Sequence, residues 1–386
     1  MNILILQPCE SAYAVLTDLS SKLFHAMSTL NTHRVIMHMP DKSDHIPVAL
    51  KKIHGLIEQY DVTHIFGFNG ISLDLTLNKA HEDIQHFGWL VDYPVHHVNR
   101  LNSPIHNKVI FSANPQHAYY ISSMTSSAYA GALSLGATCP ETEIRFPIYQ
   151  RPFDVVFIGS WMGEPEPLWE KSTDAAVKRI AGEALAHLLE DDSADVFLVL
   201  KKKFHQYGIS IERNSQLMNT LIWYLDMYMR KYLRLKMMRS IVQSGLKTLV
   251  VGSGWSDHFH GDQLYFHDPV NNEFINEIYK NCKIAICLNS NNGGCERAFQ
   301  ALASGCSVFS FGGVPIAQLS KQHTGIHLVA SGAPEKQIAA QLRQWCEQIT
   351  QDLSLHPDPS LFQSSHAWSS VAEQLIGAMT QQAVTA

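Results

Sequence analysis

No stretch of this chain reaches the roughly 18 apolar residues that a membrane-spanning helix requires, although 46% of its residues are hydrophobic. A sustained basic block is also missing. The formal net charge is −6 and the pI is near 6.4. That balance argues against a nucleic-acid partner, which needs a cationic surface for phosphates. Cysteine pairs are absent too. The seven cysteines include no C-x-x-C, and an odd count without regular spacing does not describe a disulfide scaffold. A reducing cytoplasm is the expected setting. Cys282, Cys287, Cys295 and Cys306 follow no familiar zinc spacing, so no metal is expected there. The opening MNILILQPCE has no basic n-region and only a short apolar run, Ile3 to Leu6. It reads as a first β-strand rather than a signal peptide.

What is present is an alternation of strand-like and helical patterns, the mark of parallel α/β architecture. The 386 residues suffice for two domains with substantial cores. In the first part, segments 3–6, 34–39, 64–68, 88–92 and 108–113 read as strands, with helices over 11–30 and 47–59. A second series starts at DVVFIGS, 154–160. It continues with strands at 195–200, 248–254, 283–289 and 307–313, and a long helix from about 215 to 244. The proline-containing RFPIYQRPFD, 145–154, marks the break. The expected division is 1–150, 151–352, and a terminal 353–386 that crosses back to the first domain through the apolar Trp368, Val371, Leu375 and Ile376. Two such domains are expected to face each other across a cleft, with ligands at the C-terminal ends of the strands.

The densest signal is LNSNNGGCERAFQALASGC, residues 288–306. A strand runs into an Asn/Gly loop that opens a helix. Helix N-termini offer unpaired N–H groups and partial positive charge. Gly293 and Gly294 admit close approach of an anion. Arg297 sits in the first turn, where a cation opposes the helix dipole unless an anion compensates it. The pattern points to a phosphate or diphosphate site. A plain strand-to-helix turn with a solvated arginine is the simpler reading.

Other strand ends carry further candidates. VVGSGW places Gly252, Gly254 and Trp255 after a strand, for backbone approach to a ligand with Trp255 as a stacking or packing platform. FIGSWMG sets Gly159 and Ser160 in a second phosphate-facing loop, or in an ordinary turn. GWLVDYPVHH ends a strand in Asp92 and then brings His96 and His97. An acid and imidazoles at a strand's C-terminal end suit general-base work; a surface histidine pair is the alternative. Asn69, after another strand, can bind an acceptor hydroxyl or cap a helix. Residues 221–242 are aromatic, basic and Met-rich. They read either as a peripheral membrane-surface helix, or as a core helix whose Arg230, Arg234 and Arg239 merely solvate one face. The acidic run Asp191 to Asp195 reads as a turn.

Taken together, these pieces make the second half of the chain resemble the donor-binding half of GT-B glycosyltransferases, nearest the spore-maturation-type (CgeB-like) group. That family's pattern falls on Val270, Tyr279, Leu288-Asn289 and the run from Arg297 through Phe299 and Ala303 to Gly305. The likeness spans roughly 150–345 and fades in 1–150. The family's ribose-binding Glu is here Gln300, which keeps one acceptor oxygen but loses the charge; Glu296, one turn earlier, is the candidate substitute.

The resemblance implies two Rossmann-like domains and a cytoplasmic hexosyl-transferring enzyme. The second domain takes a nucleotide sugar as co-substrate, without another cofactor or metal; the first takes an unidentified acceptor. Leaving-group charge falls to helix-end N–H groups and Arg297. Two alternatives stand beside it: a nucleotide-sugar-modifying enzyme such as a UDP-sugar epimerase, and a non-catalytic scaffold of the same fold.

Overall fold

The computed structural model describes residues 1–8, 14–75, 81–137, 146–288 and 296–385. These form two compact units. One comprises Met1–Gly136 with His366–Ala386, the other Ala137–Ser365.

The first unit holds a parallel sheet built from β1 (Asn2–Leu6), β2 (Arg34–His38), β3 (His64–Phe68), β4 (Gln85–Leu90), β5 (Lys108–Ser112) and β6 (Ala128–Ala132). Its order is β2-β1-β3-β4-β5-β6. Strand alternation sends Ile3 and Ile5 to one face and Leu4 and Leu6 to the other, and all four are buried. Helix α1 (Val15–Thr29) and the C-terminal helix, Trp368–Thr385, pack together and share a core with Ile3, Ile5, Phe66 and Phe87. Helix α2 (Ile46–Tyr60) covers Leu4 and Leu6 with Ile53 and Ile57. Both faces are covered, which is why these strands read as near-continuous apolar runs. Helices α3 (Val98–Leu101) and α4 (His117–Met124) complete the unit's first segment.

The second unit's sheet contains β7 (Phe153–Ile158), β8 (Thr248–Val251), β9 (Leu264–His267), β10 (Cys282–Cys287), β11 (Ser307–Phe311) and β12 (Ile326–Val329). The order is β12-β11-β10-β7-β8-β9, and every pairing is parallel. Between β7 and β8 the chain makes α5 (Ala175–Glu190), α6 (Val196–Gln206) and the long α7 (Gln216–Ser244). Then follow α8 (Ile275–Tyr279), α9 (Glu296–Ala303), α10 (Val314–Gln322), α11 (Glu335–Gln351) and α12 (Pro359–His366); α13 (Trp368–Thr385) is the C-terminal helix of the first unit.

Several local expectations change. DVFLVL, read as a strand, is the start of α6. Asp195 caps it, accepting from the Leu198 amide at 3.0 Å. Its apolar residues recur at 196, 197, 200 and 204, a helical spacing that continues into KKKFH. Strands β6, β9 and β12 were not expected. All three lie at sheet edges, where only one neighbour and less burial shape the sequence.

The proline-containing segment before β7 is anchored to the second unit. Arg151 is buried, and its guanidinium donates to the carbonyls of Cys282 (2.8 Å), Tyr279 (3.2 Å) and Ser304 (3.4 Å). Among the described residues, no helix is long and apolar enough to cross a membrane. Of the segment 221–242, Leu221, Ile222, Leu225, Met229, Leu233 and Ile241 are buried within the unit, while Trp223 and Val242 are exposed.

Candidate functional site

In the second sheet the strand order reverses at β7. From there the chain proceeds to β8 and β9 on one side, and to β10, β11 and β12 on the other. Ligands of open parallel sheets bind outside the C-terminal ends of strands at such a reversal. The two strands concerned are β7 and β10, paired as Val156 with Ala285 and Phe157 with Ile286. Gly159 and Ser160 leave the end of β7. Asn289, Gly293 and Gly294, expected after β10, lie outside the described residues.

Arg297, in the first turn of α9, reaches back across this reversal. Its Nη1 donates to the carbonyl of Ile158, the last residue of β7. Arg234 arrives from α7, and its Nη1 donates to the Ser160 carbonyl at 3.1 Å. Gly159 stands between the two tethers. A Cβ built on it would lie 3.4 Å from Arg297 Nη1 and 3.6 Å from Arg234 Nη1. Its φ of +155° is also one that side chains rarely adopt.

The loop beneath is tightly held. A Cβ on Gly252 would stand 2.4 Å from the Gly159 carbonyl oxygen, so the ends of β7 and β8 meet only because that residue is glycine. The Ser253 amide donates to Ser160 Oγ at 3.2 Å, and the Trp161 amide to the Ser253 carbonyl at 2.9 Å. Gly254 takes φ +82° against Trp161. Trp255 is fully buried, and its Nε1 donates to the Gly159 carbonyl at 2.5 Å. Its indole packs on Phe157 and Trp161, so it props the loop from below. Of the two roles read for it in the sequence, packing is the one its burial permits.

Glu296 gathers amide donors. Asn272 Nδ2 reaches its Oε1 at 2.8 Å and Gln300 Nε2 at 3.2 Å. A carboxylate only accepts, so the Gln300 amide turns its NH2 toward Glu296 and its oxygen away. Gln300 is buried.

The first unit has its own cluster at the ends of adjacent strands β3 and β4. Asn69 follows β3, with φ 51°, and its amide donates to the Trp89 carbonyl at 2.8 Å. Its Nδ2 donates to Asp92 Oδ2 at 2.9 Å, while its Oδ1 accepts from the Val91 amide at 3.0 Å. Asn69 is only 4% exposed, with donor and acceptor both engaged, so its side chain holds Asp92 rather than offering itself to a hydroxyl. The Asp92 side chain is 40% exposed. His97 Nε2 stands 3.9 Å from Asp92 Oδ2. His96 belongs to the same short 3-10 turn, Pro94–His97, and is half-buried. Arg100 braces the cluster, donating to the Asn69 carbonyl at 3.3 Å and to Asp74 Oδ2 at 2.8 Å.

Sequence reasoning missed Arg234, Arg100 and Asn272. Arg234 was read as a solvated cation, and only a fold that lays α7 beside the end of β7 gives it a neighbour 74 residues away. Arg230, read the same way, instead pairs at 2.8 Å with Asp226, which is wholly buried. The acidic run at 191–195 serves structure: Asp192 accepts from the Ser331 amide and Asp195 caps α6. Among the described residues, no group of three or more His, Cys, Asp or Glu stands together as a metal would require.

No protein-family model matches this sequence, and no curated protein matches it. Solved structures do match in fold. Sucrose-phosphate synthase from Thermosynechococcus elongatus aligns with a TM-score of 0.55 at 11% identity, over 100% of both chains. AviGT4, a glycosyltransferase involved in avilamycin A biosynthesis, aligns at 0.53 and 9% identity, over 100% of this chain and 99% of its own. Anabaena HepE, solved in complex with UDP-glucose, gives 0.53 and 10%, over 99% of this chain and 100% of its own. At such identities the likeness speaks for fold alone. The chain has the fold of the GT-B glycosyltransferases, two Rossmann-like units each built on a parallel six-stranded sheet.

Proposed function

We propose that the protein is a glycosyltransferase that takes a nucleotide-sugar donor on its second unit and moves the sugar to an acceptor served by the first. The observation that carries this reading is the pair Arg297 and Arg234 at the end of β7, where the strand order reverses. A departing nucleoside diphosphate gains negative charge as the glycosidic bond breaks, and fixed cations at that point lower the barrier. Glu296, with Gln300 beside it, is the acceptor of the ribose hydroxyls in this reading. Asp92, oriented by Asn69, is the candidate base for the acceptor hydroxyl. The donor is a co-substrate, and no other cofactor is invoked.

The finer placement, in the spore-maturation-type (CgeB-like) group, rests on the run from Arg297 to Gly305. Work in the cytoplasm fits a sequence without paired cysteines. The fold is shared with HepE, a protein solved with UDP-glucose, which supports a hexose donor here.

The test is incubation with UDP-, GDP- and dTDP-sugars without acceptor, alongside calorimetry with the free diphosphates. A transferase binds one diphosphate and slowly hydrolyses its sugar. Conversion to an epimeric sugar would replace this reading with an epimerase. Binding without turnover, or no binding, would leave a scaffold.

A further inference from the structure

We propose that the turn after β2 and the first turn of α2 form a surface that docks on an anionic lipid membrane. This goes beyond the glycosyl-transfer reading, and its test needs no sugar.

Apolar side chains gather at this tip. Met39 is 51% exposed, Ile46 77% and Val48 45%. Among the described residues, Ile46 is the most exposed large hydrophobic side chain. Pro40 and Pro47 lie in the same short stretch. The inner face of α2 is already spent on the sheet, where Ile53 and Ile57 pack with Leu4 and Leu6. The turn is closed on itself. The Asp44 amide donates to the Asp41 carbonyl at 3.0 Å, and the Val48 amide to the His45 carbonyl at 2.8 Å. Single exposed hydrophobics are ordinary on a protein surface; a run of them at one turn marks a contact.

The charges favour lipid headgroups. Lys42, His45, Lys51 and Lys52 are exposed around the apolar side chains. The two acids are engaged within the turn. The Asp44 side chain is 10% exposed and pairs with Lys52 at 2.7 Å, while Asp41 accepts from the Ser43 amide at 2.9 Å and its hydroxyl at 2.7 Å. Lysines therefore face outward here, on a chain whose net charge is −6. Apolar insertion and headgroup attraction are the two signals that peripheral attachment combines. Exposure of this degree means that the side chains stand clear of the surface. A small apolar ligand needs a concave site to bury against, whereas a lipid interface takes in a protruding apolar face.

Strands β1 to β4 are parallel, so this tip shares one edge of the sheet with the Asn69–Asp92 cluster, three strands away. Docking here brings the edge that carries Asp92 to the lipid.

The experiment sediments the full-length protein with vesicles of phosphatidylcholine alone and of an even mixture with phosphatidylglycerol. The proteins are the unmodified chain, the double variant Met39→Ser with Ile46→Ser, and Lys51→Ala, with thermal unfolding as the check on folding. The unmodified protein should bind the mixed vesicles more tightly than the neutral ones. The double variant should bind the mixed vesicles roughly tenfold or more weakly, the effect of losing two inserted apolar side chains. Lys51→Ala should lose roughly fivefold, the effect of one lysine near an anionic surface. Failure of the unmodified protein to sediment with mixed vesicles overturns the proposal. So does equal binding to neutral vesicles, or undiminished binding by the double variant. Velocity sedimentation without lipid reads self-association: a dimer that the double variant dissociates also overturns the proposal, because a second copy then covers the tip.

Discussion

Asn69 gives its amide hydrogen to Asp92 Oδ2 at 2.9 Å and takes the Val91 amide on its own oxygen at 3.0 Å, so one buried side chain locks the carboxylate that follows β4. A base must be held in one place to be useful, and general bases contribute about 100- to 10,000-fold in rate. Asp92→Asn should cut sugar-nucleotide turnover at least 100-fold while leaving nucleotide affinity unchanged. Asn69→Ala should lower kcat by a smaller factor, again at constant affinity. Steady-state kinetics beside calorimetry reads both; normal turnover in Asp92→Asn would move the base elsewhere.

Arg297 offers the direct test of the donor site. Arg297→Ala should weaken diphosphate binding by roughly 1.5–3 kcal/mol, the range for hydrogen bonds to charged groups. Equal affinity in calorimetry would remove Arg297 from the site.

Arg151 is a stability prediction. Its buried guanidinium serves four backbone carbonyls, those of Phe146, Tyr279, Cys282 and Ser304, and burial lowers its pKa from the usual value. Arg151→Met leaves those carbonyls without their donor. A buried unsatisfied acceptor costs about 1–3 kcal/mol, so the second unit should lose on the order of 3 kcal/mol. Thermal unfolding should show an earlier transition; an unchanged one contradicts the assignment.

Acid sensitivity should come from the first unit. Burial pushes His86 down to about 4, against a weaker opposing contribution from the Ser72 carbonyl, which accepts from its Nδ1. Burial likewise lowers His64 to about 4, helped by the N-terminal ammonium and His33. Between that value and the ordinary 6.5, the unfolded chain binds more protons than the folded one. Stability is therefore full above the ordinary value and falls as pH drops toward about 4. From neutral pH down to about pH 5, each histidine should remove about 2 kcal/mol. Denaturant titrations at both pH values should show a smaller difference in His86→Asn; an equal difference would acquit this histidine.

Removing the chain from His366 onward should destabilise the first unit. Trp368, Val371, Leu375 and Met379 are buried in its core. A Cβ on Gly136 would come within 2.4 Å of the Trp368 ring, so that contact also depends on glycine. Large buried side chains contribute about 1.5–3 kcal/mol each. Hydrogen exchange in β1 and β3 should rise sharply after truncation; unchanged protection would contradict the packing.

Much of the architecture was legible because buried parallel strands leave a strong local mark. ILIL, HIFGF and DVVFI are apolar on both faces, and the sheet covers both faces. Edge strands such as LYFH leave a weaker mark, because one partner and a half-exposed face accept many sequences. DVFLVL misled for a related reason: β-branched residues favour strands locally, but a capping aspartate and a helical burial pattern prevail in the fold.

By itself the sequence determined the inner strands of both sheets, the glycine turns after β7 and β8, and the presence of a cation in the first turn of α9. These are local matters of periodicity, glycine and capping. Only the tertiary structure decided which distant groups meet. It turned Trp255 inward, buried Leu221, Ile222, Leu225, Met229, Leu233 and Ile241 of α7, and placed Arg234 beside Gly159. Side-chain chemistry is written along the chain, but proximity across 74 residues is set by sheet order and by the packing of α7, and no short window of sequence contains either.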